Sequence, residues 1–284
     1  MLICSDIPTL RQTVQAWKSA GDRIAFVPTM GNLHAGHLQL VRAAWAQSNR
    51  VVVSVFVNPL QFNEAADFHA YPRTLDDDAQ LLCAVNTDLL FTPDVQQMYP
   101  QGQISNTKVM VPGLSEWLEG EHRPGHFTGV TTVVAKFFNI VQADTAWFGE
   151  KDFQQLMLIR RMVADLDLPI QIHSLPTVRE TDGLAMSSRN GRLSADERRL
   201  APHIYQTLCT LRDQILQGKQ SYALLEQQAM AALDQAGFKA EYVAVRRQAD
   251  LLPPVAGEGS LVLLLAAWLG KTRLIDNLTV NLCP

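Results

Sequence analysis

The chain has 284 residues, which at roughly 100–200 residues per domain favours two domains, or one with a sizeable appendage. Hydrophobic residues make up 47% and charged residues 18%, a balance that excludes disorder, collagen-like repeats and a coiled coil. With 24 basic against 28 acidic side chains the net charge is −4, so no positive excess exists to hold a phosphate backbone over a long footprint, and nucleic acid is not expected as a partner.

Met1-Leu-Ile-Cys-Ser-Asp6 has neither the basic nor the apolar region of a signal peptide, and none is expected. Leu10, Val14 and Trp17 then recur at helical spacing, and the pattern stops at Gly21, a residue suited to the position after a helix. Arg23 to Pro28 reads as a short buried strand. After the loop Thr29-Met-Gly-Asn32, the residues Leu38, Val41 and Trp45 line one helical face. Val51-Val-Val-Ser-Val-Phe-Val57 is β-branched and nearly all apolar, as a central parallel strand covered on both faces should be.

A helix is predicted near Thr74–Val85, a strand at Asp88–Phe91, and a helix from about Thr128 carrying Val130, Val133, Val134, Phe137 and Val141. A strand at Thr145–Phe148, a helix from Asp152 to about Ala164 and a strand at Ile170–His173 follow. Strands alternating with helices predict a doubly wound, Rossmann-like parallel sheet over residues 1–176. Beyond Pro176 the pattern changes. Thr177 to Leu193 is polar and turn-rich, and Ser194-x-x-Glu197 is a capping box opening a helix that ends near Gly218. A second helix runs from about Ser221 to Gly237, before strands at Ala240–Val245, Ser260–Trp268 and Lys271–Leu278. Residues 177–284 are therefore expected to form a smaller α+β domain.

The longest apolar run, Leu261 to Leu269, is about half of the ~20 residues a membrane-spanning helix needs, so it reads as a buried strand and no membrane association is expected. Cys4, Cys83, Cys209 and Cys283 lie far apart with no C-x-x-C pair, which fits a reducing, cytoplasmic compartment.

The richest candidate for chemistry is Val27-Pro-Thr-Met-Gly-Asn-Leu-His-Ala-Gly-His37, which leaves a predicted strand and opens a predicted helix. The unpaired N–H groups and partial positive charge of a helix N-terminus suit phosphate oxygens, and Gly31 and Gly36 allow close approach to the backbone. His34 and His37 are three residues apart and share a face. That spacing also fits a metal pair or two surface histidines, although zinc wants three or four protein ligands and no further Cys or His lies nearby in sequence. The strand–loop–helix context points to phosphate. A second cluster, Phe148-Gly-Glu-Lys-Asp-Phe-Gln-Gln155, sits at another strand-to-helix turn, where Lys151 could meet a phosphate or stay solvated. Asp152 is the expected N-cap, with Gln155 one turn further on. In a third, Met186-Ser-Ser-Arg-Asn190, two hydroxyls beside an arginine could clamp an oxyanion. Gly270-Lys-Thr272 ends like a P-loop, but position 265 is Leu where that motif needs Gly.

The order of these clusters resembles the nucleotidyltransferases with a HIGH-type motif, His34-Ala-Gly-His37, and a KMSKS-type motif, Met186-Ser-Ser-Arg189. More narrowly, Pro28 to His37, Phe56-Val-Asn-Pro-Leu-Gln-Phe62, Tyr71-Pro-Arg-Thr74, Arg123-Pro-Gly-His-Phe-Thr-Gly-Val130, Phe148 to Gln155 and Met186 to Asn190 together resemble the pantoate–β-alanine ligase family. The resemblance implies a ligase joining pantoate to β-alanine at the expense of ATP, with Mg²⁺, through a pantoyl adenylate. It also implies a homodimer.

Carried over residue by residue, ATP is expected at Met30, Gly31, Asn32, Leu33, His34, Ala35, Gly36 and His37, with His37 as proton donor and His34 beside it. Gly149, Glu150, Lys151 and Asp152 would also bind ATP, Lys151 contacting its phosphates. The Val178 backbone would meet the adenine, and Met186, Ser187, Ser188 and Arg189 would close over the phosphates. Gln61 and Gln155 would hydrogen-bond pantoate, with Gln61 also near β-alanine. Asn58, Tyr71, Arg123 and His126 are expected to shape the pocket. No protein ligand of Mg²⁺ is read from the sequence. A cytidylyltransferase and a non-catalytic nucleotide sensor are the competing readings. The Met-Ser-Ser-Arg motif lacks the paired lysines of synthetases that load tRNA, and the acidic balance argues against that role too.

Overall fold

A computed structural model describes residues 1–103, 105–218 and 221–282; Cys283 lies outside the described residues. The chain divides into two compact units, one of residues 1–150 and 155–176 and the other of residues 151–154 and 177–284.

In the first unit, six strands among the described residues form one parallel sheet in the order β1 (Leu2–Cys4), β4 (Leu89–Phe91), β3 (Arg50–Val55), β2 (Ile24–Thr29), β5 (Thr145–Gly149) and β6 (Gln171–Leu175). The strands anticipated from their β-branched runs are all present, shifted by a residue or two. β1 was not anticipated: three residues are too few to show alternation, and pairing with β4 defines it. The connecting helices are α1 (Ile7–Ser19), α2 (Ala35–Trp45), α3 (Ala65–Ala70), α4 (Leu75–Cys83), α5 (Val95–Met98), α6 (Glu119–His122), α7 (His126–Val141) and α8 (Phe153–Asp165). α7 is buried nearly all round, and Phe137 packs against Phe26, Phe56 and Phe91. Fully burying such side chains contributes about 1.5–3 kcal/mol each. On α2 the buried stripe is Leu40, Val41 and Ala44, whereas Trp45, expected on that face, is 50% exposed.

The chain steps outward from β2 to β3 and β4, then returns to place β5 on the other side of β2. The sheet thus reverses direction between β2 and β5, and the loops leaving their C-terminal ends border the crevice where such sheets bind ligands. Both predicted strand–turn–helix clusters begin there.

The second unit holds α9 (Ala195–Leu200), α10 (His203–Leu216) and α11 (Tyr222–Gln235), with an antiparallel sheet of β7 (Lys239–Arg247), β8 (Ser260–Leu269) and β9 (Thr272–Asn281). The Ser194–Glu197 capping box is present, but the single helix expected from it is two. Pro202 cannot donate a backbone hydrogen bond, and the helical ladder restarts after it. The apolar run at Leu261 is the central strand, β8, and the P-loop-like Gly270 turns the β8–β9 hairpin with φ +56°. Among the described residues no helix is long and apolar enough to cross a membrane.

Candidate active site

The loop between β2 and α2 is shaped by its own backbone demands. Thr29 at the end of β2 donates through Oγ1 to the Ser54 carbonyl at 2.7 Å and accepts from the Gly31 N–H at 3.2 Å. Gly31 has φ +80°, and a Cβ there would stand 2.9 Å from Asp78 Oδ2 and 3.0 Å from Val55 Cγ1. Only glycine meets both conditions. The Asp78 carboxylate then accepts from the N–H groups of Asn32 at 2.9 Å and Leu33 at 2.8 Å, and from Thr74 Oγ1 at 3.2 Å.

The loop delivers His34 to the N-cap of α2, in extended conformation, and His37 to its first turn. The rings lie 4.0 Å apart between centroids, tilted by 42°, and the His34 N–H donates to His37 Nδ1 at 3.3 Å. An imidazole that accepts at Nδ1 carries its proton on Nε2, so His37 presents an N–H at its far corner. The expected shared face is present, with one histidine ordering the other.

Gln61 lies in a single 3-10 turn, Pro59–Gln61, capped by Asn58. Asn58 Nδ2 donates to Gln61 Oε1 at 3.0 Å and to the Gly129 carbonyl at 3.1 Å, while its Oδ1 accepts from the Tyr99 hydroxyl at 2.7 Å. The Tyr99 hydroxyl is pushed well above the ordinary tyrosine range by burial, so it remains a donor. Arg123 Nη2 donates to the Gln61 carbonyl at 3.3 Å, and His126 Nδ1 lies 2.7 Å from the same oxygen. Because Arg123 Nη1, which can only donate, faces His126 Nε2 at 3.1 Å, the His126 proton sits on Nδ1 and is given to Gln61. Gln61 Nε2 finally donates to Met30 Sδ at 3.0 Å, so these two predicted site residues touch.

At the end of β5, Glu150 Oε1 accepts from the Ser174 hydroxyl at 2.8 Å. Gln155 is half-buried in the first turn of α8, and the residue expected to cap that helix, Asp152, closes a 3-10 turn with Glu150 and Lys151.

In the second unit the Met186 N–H donates to the Val178 carbonyl at 2.9 Å, which brings together two residues expected at opposite ends of the nucleotide. Ser187 Oγ accepts from the Arg189 N–H at 3.2 Å, and Asn190 Nδ2 donates to the Ala185 carbonyl at 3.0 Å, so Ser187 to Asn190 form a tight turn. Met186, Ser187, Ser188 and Arg189 are all half-buried.

Asp78 was missed from sequence. It is the third of three consecutive aspartates, and only helical phase separates it from its solvated neighbours, being 1% exposed.

Comparison with known proteins gives a consistent result. A family model described as pantoate-beta-alanine ligase matches residues 2–279. The chain is 54% identical over 275 residues to a pantothenate synthetase of Thioalkalivibrio sulfidiphilus, covering 97% of this chain and 96% of the relative. It is similar to the crystal structure of pantothenate synthetase from Thermus thermophilus, with TM-score 0.90 and 45% identity over 98% of this chain and 99% of the other. It is also similar to a pantoate-beta-alanine ligase from Francisella tularensis in complex with a β,γ-ATP compound and β-alanine, with TM-score 0.81 and 34% identity over 98% and 97% of the two chains.

Proposed function

The chain belongs to the pantoate-beta-alanine ligase family, and from that premise we propose how its residues divide the work. The enzyme condenses pantoate with β-alanine at the expense of ATP, giving pantothenate, AMP and pyrophosphate through a pantoyl adenylate. High identity over nearly the whole chain supports this activity over a cytidylyltransferase or a nucleotide sensor.

The pantoate carboxylate attacks the α-phosphorus, the bond to the bridging oxygen breaks, and pyrophosphate leaves. The β-alanine amine then opens the acyl adenylate and AMP departs. A carboxylate approaching a triphosphate meets charge repulsion, and fixed donors and cations relieve it. The N-terminus of α2, with residues Met30 to His37, holds the phosphates and sugar. His37 donates a hydrogen bond through its Nε2–H to the departing oxygen as negative charge builds there, and His34 orients it. Gly149, Glu150, Lys151 and Asp152 bind ATP, Lys151 through the phosphates. Gln61 and Gln155 hold pantoate, an amide being able to donate to the carboxylate and hydroxyls and to accept from the latter. Val178 meets the adenine, and Met186 to Arg189 engage the phosphates, with residues 177–284 acting as the domain that closes on the nucleotide.

The observation that best supports this reading is the His34 N–H bond to His37 Nδ1, which favours a proton on Nε2 and so a donor at that corner of the ring. Mg²⁺ enters with ATP. An ion of this kind keeps several waters and is bound through one or two carboxylates together with substrate phosphates. A cytoplasmic homodimer completes the proposal: widely spaced free cysteines support the compartment, and the family resemblance supports the dimer. The deciding experiment incubates the protein with MgATP and pantoate, with and without β-alanine, and assays pyrophosphate, AMP and amide. Free AMP and pantothenate together support the ligase; a nucleotide retained on the product refutes it.

A further inference from the structure

Lys151 groups with the second unit although it follows β5 of the first, and a hydrogen bond joins it to that unit's sheet. Asn277 Nδ2 on β9 donates to the Lys151 carbonyl at 2.8 Å. Asn277 is 5% exposed, so this donor works away from water.

The strand position of Asn277 is itself fixed by its neighbour. Asp276 is 3% exposed and receives Arg179 in bidentate fashion, Nη1 to Oδ2 at 2.6 Å and Nη2 to Oδ1 at 3.0 Å. Asp276 Oδ1 also accepts from the Asn277 backbone N–H at 2.8 Å, and Arg179 Nη2 donates to the Asn277 carbonyl at 3.1 Å. Arg179 Nη1 further donates to the Gly183 carbonyl at 3.1 Å, and the guanidinium lies over the Tyr205 ring at 3.7 Å. Burial raises the Asp276 carboxyl above its ordinary range, while Arg179, the Asn277 N–H and the charge of Lys151 pull the other way. The backbone of residue 277 is thus held on both its N–H and C=O, leaving its side-chain amide aimed at the Lys151 carbonyl.

We propose that Asn277 is a positioning residue for Lys151: clamped by the Asp276–Arg179 pair, it fixes the Lys151 backbone so that the ammonium is presented to the ATP phosphates in a set place. This rests on the phosphate role of Lys151 given above. A side chain that binds through a point charge loses its geometric advantage when its own main chain can drift.

The test is a double-mutant cycle read by pantoate-dependent pyrophosphate release in the first turnover, normalised to folded protein by circular dichroism and thermal melting. Asn277→Leu keeps the volume and removes the donor; Asn277→Ala serves if the leucine variant does not fold. The expected result is a fall of about 10–100-fold in the rate of adenylate formation with the pantoate KM unchanged. In a Lys151→Ala background the same change is expected to have no further effect. A merely structural role would lower the melting temperature and leave the two losses additive. A folded Asn277 variant with a normal rate, or a loss undiminished in the Lys151→Ala background, overturns the proposal alone. A normal rate for Lys151→Ala itself overturns the phosphate role of that lysine, and the proposal with it.

Discussion

Asp78 and Leu33 are joined by a 2.8 Å hydrogen bond in which the Leu33 N–H donates to the Asp78 carboxylate, across a separation of 45 residues. With the Asn32 N–H on the other oxygen, one buried carboxylate supports two consecutive amides of the loop that carries both histidines. Asp78→Ala is expected to destabilise the fold by about 1–3 kcal/mol, because buried amides lose their acceptor. Asp78→Asn, which keeps one acceptor oxygen, should fall between the wild type and the alanine variant. Urea unfolding measures the stability, and adenylate formation should slow in the same order.

His37→Ala should lower adenylate formation by about 10²–10⁴, the span of a lost general acid or oxyanion donor. Single-turnover pyrophosphate release in the presence of pantoate is the measurement. Hydrolysis of pre-formed pantoyl adenylate should be unaffected, and an unchanged first half-reaction would remove His37 from the chemistry.

Gly129 tests how firmly Gln61 is held. A Cβ on this residue of α7 would stand 2.3 Å from the Leu60 carbonyl oxygen and 2.8 Å from the Gln61 nitrogen. Backbone cannot yield as a flexible side chain does, so Gly129→Ala should cost about 1–3 kcal/mol of stability and raise the pantoate KM more than that for ATP. A variant with native melting temperature and native pantoate KM would show that the turn at Pro59 has slack.

Cys4 and Cys83 should differ in reactivity. Burial, and then the negative charge of Asp6, push the Cys4 thiol from its ordinary 9.0 to about 11. The fold therefore favours the protonated thiol. Its contribution is complete below pH 9.0, where the unfolded chain also keeps the proton, and is lost as pH rises towards 11. Iodoacetamide followed by peptide mass mapping should label exposed Cys83 well before Cys4 in native protein, and Cys4→Ala should flatten the decline of stability across that alkaline window.

Much of the fold was legible because its physics is local. The run at Val51 is apolar on both faces, as a strand with neighbours on each side must be, and β3 lies between β4 and β2. What escaped was set by distant partners. Leu2 to Cys4 become a strand only by pairing with Leu89 to Phe91. The interruption at Pro202 was written in the sequence, but the apolar spacing on either side of it concealed the break. Of the candidate site, the glycines and histidines stood out by type and spacing, whereas the glutamines were assigned their role only through the family resemblance. Asp78 did not stand out, since its neighbours Asp76 and Asp77 are the same residue type in the same turn. Asn277 did not either, since one polar residue in the middle of a strand of mixed polarity carries no signal until its partner across 126 positions is known.

The two units are stitched by the chain more than once: residues 151–154 belong with 177–284, while 155–176 return to the first unit. Anyone recombining this enzyme with a homologue would find no single crossover that exchanges one lobe cleanly. A chimera joined at 176 would pair a native Lys151 segment with a foreign β9, and heritable variation in that tetrapeptide should therefore travel with the C-terminal strands rather than with the sheet that precedes it.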